Sequence, residues 1–321
     1  MIITRSPLRV SLMGGGSDLQ SHFKQHGGSV VSFTINKYVF TSINSKFLDG
    51  IRFAYSETEN VSNYLELKHN IARETLSILL PDSNLEIATI ADVPAKGTGL
   101  ASSSAFTASF VSALFRYKQI SVSKHQLAEL VCDIEINRVK SPIGKQDQYA
   151  TVFGGINKIV FPKEGDIDVK KINISSEART RFEEHLLIVH TGIDRNTNET
   201  IFEISKGNNK SELLSLMSEM CDETIKCLHS KNFVALGKLI NYSWELKKKL
   251  SSGVSNDKVD AAIAAGISLG AYGGKLLGAG SGGFILFICP PDRKELIVQN
   301  LALRPLICQI EFEGTKIVYE S

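Results

Sequence analysis

Two periods of apolar residues divide the chain. From Ile2 to Met13 apolar and basic positions mix as in a strand, and the run breaks at Gly14-Gly15-Gly16, where the backbone is free to turn tightly. Residues 29 to 44, rich in β-branched and aromatic side chains, predict a long strand, and Gly50 to Ser56 and Leu85 to Ala91 predict two more. After Pro94 the pattern changes. A small-residue loop feeds Ser104 to Lys118, where Phe106, Phe110, Val111, Leu114 and Phe115 recur at helical spacing. Gln126 to Val139 predicts a second helix, Tyr149 to Phe161 strands around Gly154-Gly155, and Pro162 to Ile174 a polar connection between domains. Beyond it, a strand at His185 to His190 precedes helical patterns at Asn198 to Lys206, Ser211 to His229, Phe233 to Leu250 and Lys258 to Leu269. Gly283 to Cys289 and Lys316 to Tyr319 predict strands, with Arg293 to Leu303 helical between them. A strand-rich first half and a smaller mixed second half give an α+β chain, divided into residues 1–175 and 176–321.

Composition narrows the class without naming a function. The 321 residues are enough for two ordinary domains, and 43% hydrophobic with 22% charged residues is ordinary for a globular chain. Thirty-six basic against thirty-four acidic residues leave a charge of +2 with no long run of one sign, so nucleic acid is not an expected partner. The five cysteines are odd in number and lack metal-ligand spacing, which points to reduced, mostly buried thiols. Arg5 and Arg9 interrupt the first apolar run, and no apolar stretch is long enough to cross a bilayer; the expectation is a cytoplasmic protein with no membrane partner.

The strongest chemical signal lies in PAKGTGLASSSAF, Pro94 to Phe106. Gly97 and Gly99 allow backbone N–H groups to approach an anion closely, and Ser102, Ser103 and Ser104 add hydroxyls where a helix begins. Such a helix start can cradle a polyphosphate, although a loop with an ordinary serine cap has the same letters. Other nucleotide signatures fail. No Gly-Lys pair has the following Ser or Thr and the preceding Gly of a Walker A loop, and the third glycine of a dinucleotide fingerprint after Gly14 would fall on Leu19.

Pro94, Gly99, Leu100, Ser102 and Ser103 resemble the Pro-x-x-x-Gly-Leu-x-Ser-Ser signature of the GHMP kinase superfamily, with one extra residue before Gly99, Ala101 for a common Gly and Ser104 for a common Ala. The resemblance implies a two-lobed α+β kinase fold with ATP and substrate in the cleft between lobes. Lys96, Gly97, Thr98, Gly99, Leu100, Ala101, Ser102, Ser103 and Ser104 would bind ATP, Ser103 and Glu135 would hold Mg2+, and Asp147 would be the catalytic base. In the opening segment Arg9 and Asp18 match the family's N-terminal motif, Arg9 facing the catalytic acid and Asp18, with Gly15 and Gly16, gripping the acceptor. Read singly, Glu135 could be a solvated helix charge, Asp147 and Asp18 helix caps, and Arg9 an edge-strand cation.

Gly15-Gly16 replaces the Glu-His of the galactose branch, which argues against galactose. Together with GGKLLGAGSGGF, Gly273 to Phe284, the opening segment and GGSVVSFTINKY look most like the heptose-phosphate branch, implying a small-molecule sugar-phosphate acceptor phosphorylated at its anomeric hydroxyl. Arg195, Lys37 and Lys275 are candidates for its existing phosphate, Arg195 foremost because its fork suits phosphate best. Another sugar, a mevalonate-like alcohol, or a sensor without catalysis stay open, as does monomer against homodimer. Trp244 shares helical spacing with Leu236 and Ile240 and is expected in the core.

Overall fold

The computed structural model describes residues 1–79, 84–94, 97–193 and 210–321. The first half runs β1 (Ile2–Met13), α1 (Gln20–His26), β2 (Gly28–Ser45), β3 (Gly50–Ala54), β4 (Thr58–Val61), α2 (Asn70–Leu79), β5 (Asn84–Ala91), α3 (Ser102–Tyr117), α4 (Lys124–Cys132), a π-helical turn over Asp133–Arg138, α5 (Gln146–Phe153), β6 (Ile156–Phe161) and β7 (Asp168–Lys171). It continues through α6 (Ser176–His185), β8 (Leu186–His190), α7 (Ser211–Ser230), α8 (Phe233–Lys248), α9 (Asp257–Ser268), β9 (Gly273–Leu276), β10 (Phe284–Ile288), α10 (Lys294–Leu301), β11 (Arg304–Pro305), β12 (Ile310–Glu311) and β13 (Lys316–Glu320). The helical pattern at Asn198 to Lys206 lies outside the described residues.

The 18-residue β2 is the spine of the larger sheet. Its first part pairs with β6 from Gly28↔Phe161 to Phe33↔Ile156, its last part with β5 from Val39↔Ala91 to Ser45↔Leu85, and β1 lies antiparallel along its other side. Strand order among the described residues is β13-β1-β2-β5-β3-β4, with β12 and β6 also on β2 and β7 on β6. The last strands of the chain therefore return to the sheet in which the chain begins. A second sheet runs β11-β8-β10-β9.

One core joins the two sheets. Leu8, Val10 and Leu12 of β1, Phe33 of β2, Leu286 and Phe287 of β10 and Trp244 of α8 are all at most 1% exposed. The Phe33 ring meets Phe182 edge-on at 5.4 Å, and Phe182 stacks on Phe233 at 6.1 Å, carrying the contact from the large sheet to α8. A separate cluster of Ala108, Val111, Leu127, Val131, Ile134, Tyr149 and Val152 packs α3, α4 and α5 together. That second cluster positions the site, because α3 and α5 carry most of it.

Several expectations change. Tyr149 to Phe153 ends a helix instead of forming a strand: Tyr149 and Phe153, four residues apart, stack on one helix face at 6.0 Å, and Gly154, with φ 70°, stops it. The polar connection after Phe161 contains β7, paired from Asn157↔Lys171 to Val160↔Asp168. Helices at Gln20 and Ser176 carry too little apolar periodicity to have been expected, the second being marked by Ser175, whose hydroxyl accepts from the Ala178 N–H; the helix at Asn70 does carry a helical pattern, with Ala72, Thr75 and Leu76 buried on one face, and the sequence reading missed it.

The Phe287 ring seats on bare backbone, since a Cβ on Gly266 or Gly274 would lie 2.4 or 2.7 Å from it. Phe287→Ala should lower unfolding free energy by about 3–5 kcal/mol in urea denaturation; a loss under about 1 kcal/mol would contradict this packing.

Candidate active site

The serine loop has the backbone of an anion cradle. Gly97 and Gly99 hold φ of 75° and 76°, and Ala101, at the N-cap of α3, holds 66° with no side chain capping the helix. The first-turn N–H groups of α3 therefore face outward with no cap oxygen in front of them. Thr98 Oγ1 lies 3.0 Å from Ser102 Oγ and accepts from the Leu100 N–H at 3.3 Å, fixing the turn. Ser102 and Ser104 are buried while Ser103 is exposed. Lys96 and Arg195 lie outside the described residues.

The third glycine cluster presses on this loop from the second sheet. A Cβ on Gly99 would stand 2.4 Å from the Leu277 carbonyl oxygen, and one on Gly283 would stand 2.5 Å from that of Gly97. Only glycine permits both approaches. Nearby, fully buried Lys275 donates from β9 to the Ser11 and Leu12 carbonyls at 3.0 and 3.3 Å, tying the second sheet to the end of β1. Burial, with Lys247 and Arg9 adding repulsion, pushes its ammonium down to about 7.

Glu135 sits in the π-helical turn and is 0% exposed. The wider turn aims its carboxylate at the start of α3. Its Oε1 accepts from Ser103 Oγ at 2.6 Å and Thr107 Oγ1 at 3.2 Å, and its Oε2 from Ser104 Oγ and Gln148 Nε2, each at 2.7 Å. Burial raises its pKa and the Asp147 charge pushes the same way, while the two serine hydroxyls and the Gln148 amide oppose them. Exposed Ser103 and the carboxylate form a hard-oxygen pair of the kind Mg2+ takes alongside phosphate oxygens, so these residues fit that ion. Among the described residues no group of three or more His, Cys, Asp or Glu could hold a metal.

Three consecutive residues opening α5 each hold a different part of the site. Gln146 donates its N–H to Asp18 Oδ2 at 3.1 Å, Asp147 meets Arg9, and Gln148 holds Glu135. Arg9 is 3% exposed; its Nε and Nη2 lie 2.8 and 2.6 Å from Asp147 Oδ1, and its Nη1 donates to the Gly99 carbonyl at 2.6 Å. A chain of hydrogen bonds thus runs from the serine loop through Arg9 to Asp147, and returns from α5 through Gln148 and Glu135 to Ser103. Arg9, Asp147, Glu135 and the serine loop are joined in one hydrogen-bonded network.

Asp18, also predicted at this site, is buried, accepts from the Gly16 N–H at 2.9 Å through Oδ1, and caps α5 from outside the helix through Oδ2. A Cβ on Gly144 would stand 2.0 Å from that carboxylate. Gly15 and Gly16 form the turn above it. The sequence reading missed Thr107, Gln146 and Gln148, because a hydroxyl or amide inside a regular helix looks like filler until its partner is known; Lys275, a candidate for the acceptor's phosphate, is instead buried and bound to the β1 carbonyls.

Burial raises the Asp18 pKa, repulsion from Asp147 adds to it, and the Gly16 and Gln146 amides offset part. A carboxyl raised in the folded state contributes stability below its unfolded pKa, and that contribution is lost as pH climbs through the raised value. Asp18→Asn should therefore gain in Tm relative to wild type as pH rises from about 4 to 7; a Tm difference independent of pH would contradict the assignment.

Comparison with known proteins agrees with this geometry. The model for the GHMP kinases N terminal domain matches residues 64–155 and that for the GHMP kinases C terminal domain residues 224–304. The D-glycero-alpha-D-manno-heptose 7-phosphate kinase of Campylobacter jejuni is 28% identical over 94% of this chain and 93% of its own. A crystal structure described as a D-glycero-D-manno-heptose 1-phosphate kinase from Bacteroides thetaiotaomicron superposes with a TM-score of 0.83 at 24% identity, covering 100% of both chains. A putative sugar kinase structure from Campylobacter jejuni gives 0.77 at 25% identity, covering 98% of this chain and 97% of that one. Since the two family models between them take in the serine loop, both acids and the glycine-rich strand that backs them, the chain belongs to the GHMP kinases, ATP-dependent enzymes of α+β fold.

Proposed function

We propose that this kinase transfers the γ-phosphate of ATP to the anomeric hydroxyl of D-glycero-D-manno-heptose 7-phosphate, giving the 1,7-bisphosphate, a precursor of activated heptose for surface polysaccharide. Support for the acceptor comes from the near full-length similarity to the Campylobacter jejuni heptose kinase and from Gly15-Gly16 standing in place of the Glu-His of the galactose branch. Residues 1–175 and 176–321 serve as its two lobes, the second lending β12 and β13 to the sheet of the first.

The observation that carries the chemistry is the Arg9–Asp147 pair standing between the serine loop and the acceptor turn. Ser102, Ser103 and the first-turn amides of α3 bind the ATP phosphates. Mg2+, held by Ser103 and Glu135, would supply charge neutralisation at the β- and γ-phosphates. Asp147 orients the sugar hydroxyl and accepts its proton as the oxygen attacks γ-phosphorus in line and ADP departs. Arg9 fixes the Asp147 carboxylate through two nitrogens and places positive charge beside the phosphoryl group as it moves. Positioning and electrostatics supply the rate, with no phosphoenzyme.

Phosphorus NMR of reactions with heptose 7-phosphate, unphosphorylated heptose, fucose, mannose and mevalonate should show a new anomeric ester only with the first. A new ester on another acceptor reassigns the substrate, and nucleotide binding without turnover of any would make the chain a sensor. Asp147→Asn should lower kcat by roughly 10²- to 10⁴-fold with nucleotide affinity unchanged; unaltered turnover would remove Asp147 from the mechanism.

A further inference from the structure

Around the acceptor turn, one buried side chain has no task in the scheme above. Gln146 is 9% exposed, and its Oε1 lies out of water with no hydrogen-bond partner among the described residues. Such an atom is costly to bury and is seldom left so without a ligand or water to meet it. Its backbone N–H is already committed to Asp18, so the side chain is not needed to cap α5. The amide lies over the bare backbone of Gly15: a Cβ there would stand 3.6 Å from Gln146 Nε2 and 3.2 Å from Ser11 Oγ. These polar groups close directly on the Gly15 backbone, and Gln146 stands next in sequence to Asp147, the residue that orients the reacting hydroxyl.

We infer that Gln146 is a specificity-determining residue for the acceptor, its amide oxygen accepting a hydrogen bond from the sugar hydroxyl next to the one phosphorylated. For anomeric transfer this is the 2-hydroxyl. The inference rests on the sugar-kinase reading and deepens it. An amide suits the position: flanked by Asp147 and Asp18, it can accept from one hydroxyl and donate to another without adding a third negative charge. Other orphaned polar atoms do not compete for this role. Gln148 Oε1 is also unpartnered, but that residue is 0% exposed and its Nε2 is bound to Glu135; Trp244 Nε1 lies in the core between α8 and the second sheet. His22 has both ring nitrogens unpartnered, yet it stacks on His26 within α1 and makes no recorded bond to the acceptor turn.

The test crosses enzyme and substrate. kcat/KM is measured for wild type and Gln146→Leu with heptose 7-phosphate and with its 2-deoxy and 4-deoxy analogues, alongside the KM for ATP and Tm. Wild type should lose roughly 10- to 100-fold on the 2-deoxy analogue. Gln146→Leu should lose a similar factor on the parent sugar and almost nothing more on the 2-deoxy analogue, while the 4-deoxy penalty persists and ATP KM and Tm hold. Gln146→Met, of similar size and without a comparable acceptor, gives a second reading should the leucine variant fold poorly, and it too should uncouple from the 2-hydroxyl. Independent penalties for variant and 2-deoxy analogue, or an unchanged kcat/KM on the parent, overturn the inference alone. Turnover of no sugar phosphate by wild type overturns it together with the reading beneath it.

Discussion

The site depends on one buried cation. Arg9 comes from β1, Asp147 from the first turn of α5 and Gly99 from the serine loop, and the guanidinium holds all three together at 2.6 to 2.8 Å. A guanidinium that is 3% exposed is tolerable only with its hydrogen bonds satisfied, so this geometry is enforced rather than sampled. Removing any one partner would leave a charge or carbonyl stranded. The planar fork also sets the direction in which Asp147 points, which a lysine at position 9 could not do as rigidly.

The rest of the architecture serves that convergence. At Arg9, β1 pairs with Thr34 of β2 and the arginine N–H donates to the Leu100 carbonyl at 3.0 Å, which gives Arg9 a rigid base. α3 and α5 share one apolar cluster, so the serine hydroxyls and the acids at 135 and 147 are referred to a common frame. The second sheet reaches in with glycine against glycine, Gly283 on the Gly97 carbonyl and Leu277 on Gly99, and Lys275 pins the end of β1 just ahead of the acceptor turn. Small residues at these contacts are a condition of closeness, since any side chain would hold the phosphate loop away from its support.

Much of this was legible in the sequence because the residues concerned stand in unusual company. Glycines flanking a serine triplet before a helical pattern have few purposes, and Trp244 in register with Leu236 and Ile240 is core, 1% exposed as its spacing implied. Short elements were not legible: α1 and α6 draw their stability from packing and caps, and the Tyr149–Phe153 segment has strand-like residues but folds as a helix because α3 and α4 cover its apolar face. Asp18 shows the limit most plainly. The sequence left it as either an acceptor ligand or a helix cap; in the structure it caps α5, some 130 residues away in the chain, while lining the turn above. No local pattern reveals a cap supplied from that far.

The central claim is that a single polyphosphate pocket lies between the serine loop and the two acids. A crystal structure grown with Mn2+ and a non-hydrolysable ATP analogue tests it directly, because manganese gives an anomalous signal. An anomalous peak is expected at roughly 2.0–2.3 Å from Ser103 Oγ and a Glu135 oxygen, with the γ-phosphate reaching toward Asp147. A manganese–nucleotide complex seated away from Ser103 and Glu135 would contradict it.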